Sequence, residues 1–238
     1  MNIRRRLTVT LLAASCLLLP SVAVADPVVL GQIDTFESGT SAGWFTGGPM
    51  TPPQPAPIAT GGPAGATDHY MSLTSLGGIG SQSRLSVLNE SQWAGNYIAA
   101  GVNAIVMDVN NLGTTDLYLR LAFEDPMFGP PSNVAFSTNS IFLPAGSGWT
   151  SVTFLIRPED LTAGLGDVFS ALTGATAIRL YHSPNPNFPN PVFPIPAVQA
   201  HLGVDNIRAA AIPEPATLLL LGTGLAGVVM RARKKRHL

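Results

Sequence analysis

The sequence predicts an all-β fold, an antiparallel β-sandwich of jelly-roll-like layout, with an N-terminal signal peptide before it and a C-terminal single transmembrane helix after it. Three observations predict this. In the middle of the 238-residue chain the apolar residues recur with period two rather than 3.6. Glycine and proline are frequent, 24 and 21 residues, and they separate short apolar runs. Basic residues flank an apolar run at each end of the chain, whereas the middle contains no lysine. The division is 1–25 signal peptide, 26–211 sandwich, and 212–238 terminal segment with its span at 216–230.

At the N-terminus Arg4, Arg5 and Arg6 precede the apolar run 7–19, and Ala23 and Ala25 supply the small-x-small pattern of a cleavage site. Cleavage after Ala25 makes Asp26 the first mature residue. The one cysteine, Cys16, lies inside this segment. The mature chain therefore has no disulfide, no thiol chemistry and no cysteine-based metal site.

The strands are expected in chain order as follows. Residues 28–36, 69–73, 84–88 and 103–110 come first. The clearest is 116–124, "DLYLRLAFE": Leu117, Leu119, Leu121 and Phe123 point to one face, Tyr118, Arg120, Ala122 and Glu124 to the other. Residues 140–143 follow. "TSVTFLIR" places Val152, Phe154 and Ile156 inward, and Trp149 before it reads as core. "AIRLYH" places Ile178 and Leu180 inward, Arg179 and Tyr181 outward. Residues 203–212 complete the set. A short helix is expected within 159–172, weakened by Gly164 and Gly166. Two proline-rich stretches, 47–65 and 183–196, read as loops. The second, with proline at nearly alternate positions, favours extended geometry and blocks pairing at a sheet edge.

Charge excludes some function classes. Between residues 26 and 212 there are five arginines against 13 acidic residues, a balance of −8, although the whole chain is only −1. Such a body is not built for nucleic acid, which needs clustered cations, nor as a binder of anionic membrane surfaces. It is compatible with neutral sugars or cations.

Two catalytic patterns fail on context. Gly39-Thr40-Ser41-Ala42-Gly43 fits a nucleophile elbow, but a proline-rich loop follows where a helix is needed. Gly222-Thr223-Gly224-Leu225-Ala226-Gly227 fits a dinucleotide fingerprint, but it lies in the terminal apolar run. There its small residues suit helix packing in a membrane. His69, His182 and His201 have no metal-ligand spacing.

The end of the chain, Pro213-Glu214-Pro215, then 216–230, then Arg231, Arg233, Lys234, Lys235 and Arg236, resembles a PEP-CTERM sorting domain. Three unlike features occur there in order. The apolar run spans ~22 Å as a helix, short of a ~30 Å hydrocarbon core. The basic tail stays cytoplasmic by the positive-inside rule. The resemblance implies transient inner-membrane anchoring and processing by an exosortase. It also implies export to the cell surface or extracellular matrix of a Gram-negative bacterium, in association with exopolysaccharide.

The body, on "IDTFESGTSAGW" (33–44) and "GVDNIRA" (203–209), resembles carbohydrate-binding and galactose-binding-like jelly rolls. In such folds the first and last strands lie side by side, often linked by a structural Ca2+. Glu37 and Asp205 are the matching positions, and no other cofactor is implied. A sugar face would need exposed aromatic and planar polar groups. Tyr118, Arg120, Arg179 and Tyr181 form that candidate face, with Trp44 and Trp93 near turns beside it.

These readings together predict a noncatalytic, exported surface or matrix protein. The alternatives are a carbohydrate-binding module and a polysaccharide-active hydrolase. The hydrolase lacks a defensible pair among Glu37, Glu124 and Asp125.

Overall fold

The computed structural model describes residues 27–47, 53–125, 131–186 and 195–213. The expected signal peptide, with Ala23 and Ala25, lies outside these residues. So do Glu214, Pro215, the span 216–230, and the tail with Arg231, Arg233, Lys234, Lys235 and Arg236. Among the described residues no helix is long and apolar enough to cross a membrane.

Among the described residues twelve strands form two antiparallel sheets of six. They are β1 (Ile33–Asp34), β2 (Ala56–Ile58), β3 (Tyr70–Leu76), β4 (Ser86–Asn89), β5 (Ala104–Asn111), β6 (Leu117–Asp125), β7 (Asn133–Ser137), β8 (Ile141–Leu143), β9 (Trp149–Leu155), β10 (Leu161–Leu165), β11 (Ala177–His182) and β12 (Gln199–Ala210). Sheet A runs β2-β3-β12-β5-β9, with β1 also on β12. Sheet B runs β10-β7-β6-β11-β4, with β8 also on β6. The described residues thus form an all-β sandwich whose one α-helix is Val168–Thr173.

The period-two pattern decides which side of each strand enters the core. Leu117, Leu119, Leu121 and Phe123 of β6, Ile178 and Leu180 of β11, and Phe154 with Ile156 meet Ile105, Met107 and Val109 of β5 and Leu202, Val204 and Ile207 of β12 between the sheets. Tyr97 packs edge-on against Phe123, their ring centroids 4.8 Å apart.

The structure corrects five expectations about elements. The first strand shrinks from 28–36 to Ile33–Asp34, because Gly31 and Phe36 both take positive φ, 87° and 56°, which ends extended pairing. The loop 47–65 contains a short edge strand, Ala56–Ile58, where Pro57 is tolerated because an edge strand leaves one side unpaired. Residues Asn133–Ser137 form an unexpected strand between β10 and β6. Where a helix was expected over 159–172, Leu161–Leu165 pairs with β7, and only Val168–Thr173 is helical, capped by Asp167. Trp149 is not core. It is partly exposed on the outer face of sheet A, edge-on to Tyr70 at 5.3 Å, its Nε1 donating to Gly61 O. Gly203 lies beneath this pair, and a Cβ there would come within 2.9 Å of the indole.

Candidate functional site

Three places carry the chemistry: the anchoring of the first strand, the acidic cluster at the β12 bulge, and the outer face of sheet B.

Asp34 enters from β1 and is almost fully buried. Its Oδ2 accepts from Trp44 Nε1 at 2.8 Å and Trp93 Nε1 at 2.7 Å, and Gln92 Nε2 donates to both of its oxygens at 3.3 Å. The acidic residue followed by a tryptophan in "IDTFESGTSAGW" therefore has a packing reason. Two buried indoles need acceptors, and one carboxylate serves both. It also moves Trp44 and Trp93, 1% and 0% exposed, from the sugar-face alternative into the core.

At the bulge, β12 shifts register against β5 between Asp205 and Arg208, and Asn206 takes φ 50°. Asparagine accepts this left-handed conformation more readily than most residues. The bulge places Asp205 opposite Asp108. Asn206 Nδ2 donates to Asp108 Oδ2 at 2.8 Å and to Asp205 Oδ2 at 3.2 Å. Asp205 is 1% exposed, and its Oδ1 is buried with no hydrogen-bond partner. Burial pushes its carboxyl up to about 7. The charges of Asp68, Asp108 and Glu37 add to the rise, against the hydrogen bond from Asn206. The two sequence candidates, Glu37 and Asp205, thus belong to one acidic neighbourhood with two members that sequence reasoning missed. Glu37 Oε1 accepts from His69 N at 3.1 Å, which ties the first loop to the entry of β3.

An orphaned buried carboxylate oxygen among three further carboxylates fits a hard cation with oxygen ligands. Among the described residues no three acidic or histidine side chains stand close enough to hold a metal by themselves. Backbone carbonyls or water would have to complete the shell, which is ordinary for Ca2+.

On sheet B, β6 and β11 are direct neighbours, and Arg120 pairs with Tyr181 in register. Tyr118, Arg120, Arg179 and Tyr181 do lie on the face away from the core. That face is not open along its length. Tyr181 is 0% exposed and sits with Ala122, Val134, Phe136 and Ile195 in a second, small apolar cluster. Burial raises its phenol above the usual range. Arg120 is 3% exposed, and its guanidinium donates to Ser183 O, Ser137 O and Thr138 O at 3.0, 2.7 and 2.8 Å. Three of its five N–H donors thus go to backbone carbonyls, from Nε and Nη1. Arg179 is committed to Glu124, Nε to Oε1 at 2.6 Å, so Glu124 is not a free carboxylate facing water. Tyr118 remains partly accessible, at 5.1 Å from the exposed ring of its cross-strand partner Phe142.

At the far end of β12 the sandwich passes into the terminal segment. Asn103 grips Ile212 there: Nδ2 donates to Ile212 O at 2.9 Å, and Ile212 N donates to Oδ1 at 2.6 Å.

Residues 211–234 match the PEP-CTERM protein-sorting motif, which begins where that grip is made. No curated protein matches the chain. Among solved structures, an exo-beta-agarase is similar over 78% of this chain and 25% of its own, at 14% identity and TM-score 0.51. The chain thus corresponds to about a quarter of that protein, and the likeness is one of fold. A family 11 carbohydrate-binding module from Clostridium thermocellum, solved with a beta-1,3-1,4-mixed-linked tetrasaccharide, is similar over 78% of this chain and 99% of its own. Its identity is 14% and its TM-score 0.47. A non-crystalline cellulose-specific module, CBM28, covers 79% and 98% at 14% identity and TM-score 0.38.

Proposed function

We propose that this is an exported, noncatalytic surface or matrix protein. In this reading its sandwich is carried to the outer face of the inner membrane of a Gram-negative cell, held there by 216–230, and freed by an exosortase acting near Pro213-Glu214-Pro215. The observation that carries the reading is the junction of fold and signal. The last strand ends at Ala210, and the sorting motif covers 211–234 with no linker between them. A chain built this way is a folded passenger joined directly to its address. Association with exopolysaccharide is the destination such an address serves. The test is the mass of the protein recovered outside the cell. Expected is a chain beginning at Asp26 and ending near Pro215. Extracellular material that keeps its basic tail would overturn the reading.

A second reading, a carbohydrate-binding module, is supported by Tyr118 beside the exposed Phe142 at the rim of sheet B. Aromatic rings are what sugar faces stack on. Binding on a glycan array that disappears with Phe142→Ala would support it; no glycan retained at any concentration would exclude it. In either reading a structural Ca2+ would be held by Asp205 and Glu37. Its work would be to quench the repulsion at the bulge and tie the first loop to the last strand.

A further inference from the structure

We infer that the end of the sandwich bearing Val29, Leu30 and Ile33 is a membrane-facing surface, seated on the headgroup layer of the bilayer that holds 216–230 until the chain is cut. The inference rests on the anchoring reading above and goes beyond it, because it assigns an orientation and a lipid contact to the folded body.

Tether length comes first. Asn103 holds Ile212 to the fold by two hydrogen bonds. The apolar run begins at Ala216. From Ile212 to Ala216 a fully extended chain reaches only about 13–14 Å. The headgroup zone on one side of a bilayer is roughly 5–8 Å thick. The exit end of the sandwich therefore stands no more than about 5–9 Å above the headgroup layer while the run is inside the bilayer, so it is this end that faces the lipid.

The second point is what that end presents. The segment after Pro27 is stitched to the exit strand: Gly31 N donates to Ala209 O at 2.9 Å, Ala209 N to Gln32 O at 3.0 Å, and Ile33 pairs with Arg208. Val29, Leu30 and Ile33 are 54%, 52% and 47% exposed. The neighbouring turn, whose Asn103 N bonds Ala210 O, exposes Ile98. Arg208, on the same edge, is exposed and has no ion pair among the described residues. Apolar side chains beside an arginine suit the acyl–headgroup boundary, the arginine reaching phosphate. Exposure alone does not select this end, because Leu76 and Ile79 are exposed at the other one. The tether does.

The third point is the short span. A 15-residue run falls ~8 Å short of the hydrocarbon core. An apolar rim pressed into the interface, with local thinning, would close part of that gap.

The mature chain lacks cysteine, so single probes can be placed cleanly. Residues 26–238, uncut, would be reconstituted in phosphatidylethanolamine–phosphatidylglycerol nanodiscs. An environment-sensitive fluorophore would be attached at Leu30→Cys, at Val29→Cys, or at Ile79→Cys as the distal control. Ile79 is 98% exposed, so its probe also faces water. It lies by the Gln199 end of β12, roughly 36 Å from the exit. Expected is quenching by doxyl-labelled lipid at 29 and 30 about two-fold or more stronger than at 79, with blue-shifted emission. Equal quenching at all three sites, or stronger quenching at 79, would overturn the docking while leaving the anchor intact. A chain that does not co-purify with the discs would overturn both.

Discussion

Asn103 forms with Ile212 the pair of hydrogen bonds that a neighbouring strand would otherwise make, and it does so at the last residue but one before Glu214. One side chain thus extends sheet A past the end of its last strand. It places the start of the sorting motif at a defined point on the fold. Asn103→Ala should cost about 1–2 kcal/mol and lower Tm by roughly 3–6 °C. Amide exchange at Ile212 should rise without change at Val204. An unchanged exchange rate at Ile212 would show that the grip does not hold in solution.

Asp34 is expected to matter far more. In Asp34→Ala the indole N–H groups of Trp44 and Trp93 are left buried without their acceptor. The loss should be about 3–5 kcal/mol, with Tm down by about 10 °C. Asp34→Asn keeps one acceptor oxygen and should lose less. Calorimetry of the two variants checks the order.

Arg120→Met tests whether the guanidinium serves structure or ligand. Removing it strands three carbonyls, those of Ser183, Ser137 and Thr138. Destabilisation of about 2–4 kcal/mol in urea titration is expected. Any glycan binding should survive wherever the protein stays folded, because the side chain is covered.

Asp205 predicts a pH dependence whose sign is opposite to that of a salt-bridged carboxylate. Its folded pKa is raised to about 7, above the ~3.9 of an unfolded Asp. Between those values the native state holds a proton that the unfolded state has released, so stability falls as pH rises from about 4 to 7 and then levels. The total is on the order of a few kcal/mol. His182, whose pKa burial lowers, works the other way and loses stability as pH falls below the unfolded value. The Asp205→Asn variant removes the first slope and leaves the second, which isolates it. Excess Ca2+ should raise the wild-type midpoint at pH 7.5 and leave that of Asp205→Asn unmoved. Equal midpoints with calcium and with a chelator would count against the cation.

Some of this was legible in the residues and some was not, and the division has a physical cause. Strict alternation in 116–124 and 177–182 gave the core faces of β6 and β11, because side-chain direction in a strand is a local property. The depth of Arg120 and Tyr181 on the other face was not legible. It depends on Ile195 lying over that face and on carbonyls up to 63 residues away. The strand Leu161–Leu165 was missed for the same kind of reason. Its local signal is weak, and its pairing with β7 decides it. Glu37 and Asp205 were found from two short stretches of sequence. Asp68 and Asp108 were not, since only the pairing of β12 with β3 brings the first near and its bulged pairing with β5 the second.

By itself the sequence determined the class of fold, the acidic, lysine-free body and the sorting motif at its end. Each of these is written in neighbouring residues or in composition. The tertiary structure alone decided which polar groups are buried, which carboxylates face one another and which end of the sandwich meets the tether. Those are matters of contact between residues far apart in the chain, and burial and charge repulsion take their size from such contacts.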